Sequence, residues 1–322
     1  MNKVVAIGAG RMGRGIAQVF AFAGHKVSII DFKDRTSEQT KYLFKESREE
    51  IFQNLTLLSS IGLISPELID STMDRIELHA LSNSKDIILD ADYIFEAVPE
   101  VVEIKEQVFK ELDSLMTSDV IFASTTSTIL SNKLSTFTSI PKNFLNAHFL
   151  NPAYLVPLVE ISPCEETDPK IVDKFCLFLK SIGKVPVVCK SSPGYIVPRL
   201  QSLLMSEACR MVEEGVASAE DIDKAVKNGL GIRFTSMGPL EFVDWGGLDI
   251  LYYANKYLSD NLGERFSTPE IVDKNMEKGN IGIKSGKGIY DFSAINIEEY
   301  KEEKLSNFGE LLKHLRLLPK SA

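Results

Sequence analysis

The stretch KVVAIGAGRMGRGIAQVFAFAGHKVSIIDF, Lys3 to Phe32, decides the fold. A short apolar run passes through Gly8, Gly10 and Gly13 into helix-spaced Met12, Ile16, Val19 and Phe20, and a second apolar run ends at Asp31. That order reads as strand, glycine turn, helix, strand. The spacing has a physical reason: Gly8 permits the tight turn, Gly10 lets backbone approach a pyrophosphate, and Gly13 allows helix and strand to pack closely. The unpaired N–H groups of the helix N-terminus then face the phosphates. Asp31 suits a ribose diol and repels a 2′-phosphate, so NAD is expected rather than NADP, although Lys33 and Arg35 stand close by.

Beyond Asp31 the pattern becomes a long polar helix, from about Glu38 to Ser59, with Phe44, Ile51, Leu55 and Leu58 along one stripe. A second helix is predicted after "SPELID", with Ser65 as cap and Pro66 at its first position. This arm, about residues 38–75, carries Lys41, Lys45, Ser47 and Arg48. It is expected either as a solvated face or as a docking edge for a phosphorylated substrate handle.

Strands are predicted in "ADYIFEAVPE", "DVIFASTTS", "NFLNAHFLNP", "LVEIS" and "VPVVCK", with helices at Glu103–Leu115 and Pro169–Ile182. The alternation gives an α/β, Rossmann-type doubly wound sheet, whose ligands lie beyond the carboxyl ends of its strands. Glu96, the segment from Ser124 to Ser127, and His148 fall at such ends. After "KSSPG" the chain reads as helices at Tyr195–Glu214, Ala219–Asn228 behind the capping sequence "SAED", Pro239–Leu262 and Pro269–Lys278. The expected organisation is a dinucleotide-binding domain over 1–190, an all-α domain for substrate and dimerisation over 191–293, and a helical tail over 294–322.

The 322 residues carry 44% apolar and 25% charged side chains and a formal net charge of −9. An acidic chain without a basic cluster is not expected to bind nucleic acid or an anionic membrane. No metal site is expected, because the four cysteines form neither C-x-x-C pairs nor His/Cys ligand spacings. With no cleavable apolar leader and no run of membrane-spanning length, the expected location is the cytoplasm.

In "NAHFLNPAYLVPLVEIS" an imidazole and a carboxylate interrupt apolar runs, and two prolines between them fold the chain back. His148 then faces the cofactor crevice and Glu160 runs alongside. A dinucleotide, a histidine and an acid behind it can oxidise an alcohol: hydride goes to nicotinamide while imidazole takes the hydroxyl proton. Ser127 and Asn151 stand nearby as neutral hydrogen-bonding groups.

These landmarks, with "FEAVPE", "ASTTS", "HFLNP", "SPGYIV", "GPLEFVDWGGLD" and "GIKSGKGIYDF", closely resemble the L-3-hydroxyacyl-CoA dehydrogenase family from Lys3 to about Phe292. The resemblance implies NAD-dependent oxidation of a short-chain L-3-hydroxyacyl-CoA to the 3-oxoacyl-CoA, and the reverse, by a homodimer. It implies His148 as base, Glu160 as its partner and Ser127 as donor to the substrate oxygen. NAD would lie along Gly8, Gly10, Arg11, Met12, Gly13, Asp31, Glu96, Ala97, Val98, Glu100 and Lys105. Asn151 would meet its nicotinamide end, and Lys284 would reach in from the helical domain. Ser47 would face the CoA phosphates.

Two positions depart from the family pattern. Pro198 stands where the family usually has an asparagine that completes the catalytic group, and Asn54 stands where it has an arm lysine. The same sequence is similar to lambda-crystallin/L-gulonate dehydrogenases. Two alternatives therefore stay open: a dehydrogenase of a free hydroxy acid, L-gulonate- or carnitine-like, and a non-catalytic NAD-binding, crystallin-like protein. The tail is expected to be an amphipathic helix with Leu305, Phe308, Leu312 and Leu315 on one side.

Overall fold

The structure, a computed structural model, describes residues 1–318. The chain divides into one compact unit from Met1 to Leu204 and a second from Met205 on.

In the first unit, β1 (Lys3–Ile7), α1 (Arg11–Phe22) and β2 (Lys26–Asp31) follow the expected order. The arm comes next: α2 (Ser37–Ser60), then α3 (Leu68–Met73), leading into β3 (Ile76–Ala80). After α4 (Lys85–Leu89) come β4 (Tyr93–Glu96), α5 (Val102–Asp113), β5 (Ile121–Ser124), α6 (Ser131–Leu134), β6 (Phe144–Phe149), β7 (Leu158–Pro163), α7 (Pro169–Ser181) and β8 (Val185–Val188). The eight strands form one sheet in the order β3-β2-β1-β4-β5-β6-β7-β8. Every pairing is parallel except β6 with β7.

Both faces of the sheet are covered, which is why its central strands read as continuous apolar runs. Along β4, Tyr93 and Phe95 pack into one cluster with Phe20, Phe149, Phe175 and Phe178. Ile94, between them, packs into the opposite cluster with Val5, Ile7, Phe109 and Phe122. Tyr93 and Phe178 stack with centroids 3.9 Å apart, and Phe20 and Phe178 stack at 5.2 Å. Truncating a ring this deep, as in Phe95→Ala, costs about 3 to 5 kcal/mol.

The arm proves to be the crossover that joins β2 to its parallel neighbour β3. Thr36 caps α2 in a capping box with Gln39. The second arm helix starts later than the sequence suggests: Glu67, not Ser65, is its N-cap, and the Ser65 hydroxyl bonds the Glu67 carboxylate instead. The sequence reading also missed β3, whose Glu77 and His79 break the apolar run on an edge strand.

In the second unit α8 (Val197–Glu213), which begins in the first, leads to α9 (Ala219–Ala225), capped by Ser218 as "SAED" suggests, and then a π-helical turn over Val226–Gly231. Next come α10 (Ile232–Phe234), α11 (Pro239–Gly246), α12 (Leu248–Leu262), α13 (Glu270–Glu277) and α14 (Ile297–His314). The helix expected over Pro239–Leu262 is broken at Gly247, whose φ of +115° ends one helix and starts the next. Buried Asp244 accepts the amides of Ile289 and Tyr290, which folds the "GIYDF" turn against α11. The tail helix is tied to α11 through Glu241, which bonds Lys304 at 2.8 Å and Tyr300 at 3.2 Å. Of its expected apolar side, Leu305 and Leu315 are exposed, and residues 319–322 lie outside the described residues. Among the described residues no helix is long and apolar enough to cross a membrane.

Candidate active site

A cleft of about 820 Å³ opens at the carboxyl ends of β1, β2 and β4, lined by Gly8, Gly10, Asp31, Ala97 and Val98 among others. Its glycines behave as the spacing requires. Gly8 has φ +110°, and a Cβ there would meet Ala97 O at 2.8 Å. A Cβ on Gly13 would strike Gly8 O at 1.9 Å, so only glycine lets α1 and β1 approach this closely. Around Gly10 a Cβ would meet nothing within 4 Å, which leaves open space against the backbone for a ligand. No side chain caps α1 at Gly10 and no acidic residue sits in its first turn. The start of the helix is thus left for a pyrophosphate, and the cradle fits a dinucleotide. Arg11 is exposed there, whereas the Met12 side chain packs against the core, which leaves only its backbone for a ligand.

Asp31 ends β2 in this cleft, but it is not free. Its Oδ2 receives Arg35 Nε at 2.5 Å and its Oδ1 the Lys33 amide at 3.3 Å. The sequence placed Lys33 and Arg35 near the site without this pairing. Arg14, also on the lining, bonds Glu50 of α2 at 2.8 Å.

Three of the implied cofactor residues form a cluster behind the cleft, Glu96 and Lys105 buried and Glu100 exposed. Lys105, fully buried, bonds both oxygens of Glu96 at 2.7 and 3.0 Å and lies 3.5 Å from Glu100. Glu96 also takes the Val98 amide and the Ser124 hydroxyl. Glu96 and Lys105 therefore present no side-chain surface to a ligand, and they shape the loops that do. Glu100 accepts the Thr126 hydroxyl, the Thr128 hydroxyl and the amides of Ser127 and Thr128. Burial, the largest influence on its carboxyl, opposes ionisation, but Thr126, the Lys105 charge and Thr128 outweigh it and hold Glu100 below the ordinary carboxylate range.

Where β6 and β7 run antiparallel, His148 pairs directly with Glu160. Glu160 Oε2 lies 2.7 Å from His148 Nδ1, and His148 Nε2 lies 3.1 Å from Ser127 Oγ. Glu160 is fully buried, yet its second oxygen accepts the amides of Ile196 at 2.9 Å and Val197 at 2.7 Å. Those amides belong to the turn entering α8, where helical N–H groups lack partners. A buried carboxylate is thus satisfied at both oxygens. A carboxylate beside Nδ1 favours the tautomer that carries the proton there, and in that tautomer Nε2 is the acceptor.

Ser127 is exposed at the end of the β5 loop, and Asn151 is exposed where a cis peptide joins it to Pro152. Pro198, half-buried, is the second residue of α8, a position whose N–H needs no intrahelical partner, so proline costs the helix nothing. One implied contact, Ser47, turns out otherwise. Ser47 is fully buried on the same face of α2 as Ile51, Leu55 and Leu58, so its hydroxyl does not face solvent as a phosphate contact would. In the second unit, the exposed Lys284 ammonium stands 3.7 Å from Asp249. On the arm, exposed Lys45 stands 3.7 Å from Glu49, Arg48 bonds Ile76 O, and Lys41 is exposed. Tyr195, quoted in the sequence without a role, stacks on the His148 ring.

Residues 3–192 match the NAD binding domain of 3-hydroxyacyl-CoA dehydrogenase, and residues 194–292 match its C-terminal domain. The mitochondrial hydroxyacyl-coenzyme A dehydrogenase of Sus scrofa is 34% identical over 302 residues, 91% of either chain. The 5-formyl-3-hydroxy-2-methylpyridine 4-carboxylate 5-dehydrogenase of Mesorhizobium japonicum is 30% identical over 91% of either chain. Among solved structures, the 3-hydroxyacyl-CoA dehydrogenase of Archaeoglobus fulgidus superposes with a TM-score of 0.77, covering 99% of this chain and 100% of that one at 34% identity. Glycine cradle, acidic strand end and both domain matches agree: this chain belongs to the 3-hydroxyacyl-CoA dehydrogenase family and is an NAD-dependent oxidoreductase.

Proposed function

We propose that this enzyme interconverts a short-chain L-3-hydroxyacyl-CoA and its 3-oxoacyl-CoA, with His148 as general base. The observation that carries the mechanism is the continuous line from Glu160 through His148 to Ser127. Bound NAD supplies the hydride acceptor for C3 of the substrate. His148 Nε2 takes the hydroxyl proton, so proton and hydride leave together and the alcohol becomes a ketone. Glu160 holds the ring in the tautomer with Nε2 free and balances the charge that the proton brings. Ser127 donates to the reacting oxygen. Full-length similarity to hydroxyacyl-CoA dehydrogenases supports the substrate.

A second reading, the same chemistry on a free hydroxy acid, is favoured by burial of Ser47, by the Lys45–Glu49 pair and by Pro198. The Mesorhizobium enzyme, named for a pyridine carboxylate, is similar over nearly as much of the chain. NADH oxidation with acetoacetyl-CoA, set against a panel of free keto acids, separates the two.

The reading includes a homodimer through the helices. No residue of α8 is buried, and Leu200, Leu203, Tyr253 and Tyr257 expose much of their side chains. Light scattering at micromolar concentration should return twice the chain mass of 35.8 kDa. A monomer would exclude it.

A further inference from the structure

Tyr195 is the residue in the neighbourhood of His148 that the mechanism above leaves without work. It is 6% exposed and has φ +45°, a left-handed backbone that a bulky side chain rarely adopts. Something must hold it there. Its ring lies nearly parallel to the His148 imidazole, with centroids 5.2 Å apart and planes inclined by 17°. Its hydroxyl donates to Thr126 O at 2.9 Å and accepts Asn146 Nδ2 at 3.0 Å. Asn146 in turn reaches Ile129 O at 2.9 Å.

These contacts join the three segments that carry the catalytic line. Thr126 precedes Ser127. Asn146 lies two residues before His148 on β6, with its side chain on the same side of the strand. The residues after Tyr195 supply the Ile196 and Val197 amides to Glu160. Burial pushes the phenol up, well out of the neutral range, so it remains a donor to Thr126 at any working pH.

We propose that Tyr195 is a positioning residue for the dehydrogenase reaction: it fixes the face of the His148 ring and, through the Thr126 carbonyl, the place of Ser127 relative to Nε2. It touches no reacting atom. The inference rests on His148 being the base, because only then does the placement of Nε2 against Ser127 control the rate. The hydrogen bonds, not the ring alone, are the active part. Phenylalanine would keep the stack and lose both bonds, so the 126–128 loop, still held by Glu100 on its other side, would lose its tie to the strand that carries the imidazole. Small misplacement of reacting groups is costly, up to about a hundredfold for about 1 Å.

The test is Tyr195→Phe in the full chain, with His148→Gln run alongside on the same substrate. Expected for Tyr195→Phe is a fall in kcat of about tenfold or more, with KM for NADH and the NADH dissociation constant from fluorescence titration within about twofold of the parent. A role in general stability alone would lower the melting temperature and leave kcat at an unstressed temperature untouched. The inference is overturned if kcat of Tyr195→Phe equals that of the parent while His148→Gln is inactive. It is overturned equally if NADH affinity falls in step with kcat, since the whole site is then disturbed. If His148→Gln itself stays active, the base assignment fails first and the Tyr195 role fails with it.

Discussion

Glu160 ties His148 to Val197: one carboxylate oxygen meets His148 Nδ1 at 2.7 Å while the other accepts the Val197 amide, also at 2.7 Å. The start of α8 therefore orients the carboxylate that orients the imidazole. Glutamine at 160 could still accept both amides, but its NH2 group would face Nδ1 and favour the wrong tautomer. Glu160→Gln is expected to lower kcat by about ten- to a hundredfold, less than loss of His148, with little change in melting temperature. Full activity in a steady-state assay would remove Glu160 from the mechanism.

Glu100 should govern the acid side of stability. Its carboxyl lies below the ordinary range in the folded protein, so its contribution is complete above the reference value of 4.5 and is lost as pH falls through the folded value. Melting curves of the parent and Glu100→Gln should therefore keep a constant gap from neutrality down to the reference value of 4.5 and draw together as pH falls from there through the folded value. A gap that widens on acidification would contradict the hydrogen bonds assigned to this carboxylate.

The Asp31–Arg35 pair should set cofactor choice. Asp31 opposes a 2′-phosphate, and Arg35 at 2.5 Å offsets part of that charge. NADH should bind more tightly than NADPH, Arg35→Ala should widen the ratio and Asp31→Ala should narrow it. Fluorescence titration reads all three. A narrower ratio in Arg35→Ala would reverse the role given to the arginine.

Pro198→Asn distinguishes the two substrate readings. Restoring an amide to a polar pocket is worth about 1 to 4 kcal/mol at a transition state. On the acyl-CoA reading it should raise the rate with acetoacetyl-CoA and leave the melting temperature unchanged. With a pocket built for a free acid, the CoA substrate should stay poor. No change on any substrate would show that residue 198 does not bear on the reacting centre.

How far the sequence could be read follows from what each contact depends on. Period and glycine spacing are local, and they placed β1, α1, β2 and the strands carrying Glu96, Ser124 and His148. The antiparallel return of β7 was legible because two prolines separate "HFLN" from "LVEI". Burial of Ser47 was legible too: it stands four residues before Ile51 and eight before Leu55, on the apolar stripe of α2. Assigning it to a phosphate overrode that periodicity. Strand β3 was missed although Ile76 to Ala80 alternate apolar and polar as a half-buried strand does; at five residues, directly after the arm helices, the signal is short. The second bond of Glu160, and Tyr195 against His148, join residues 36 and 47 positions apart, and no spacing rule reaches that far.

The most direct test is the rate of NADH oxidation with acetoacetyl-CoA by the parent and by His148→Gln, both saturated with NADH. The account predicts an active parent and a loss of about a hundred- to ten-thousandfold in the variant, with its NADH affinity unchanged. A variant within a few-fold of the parent, or a parent inactive on this substrate, would contradict it.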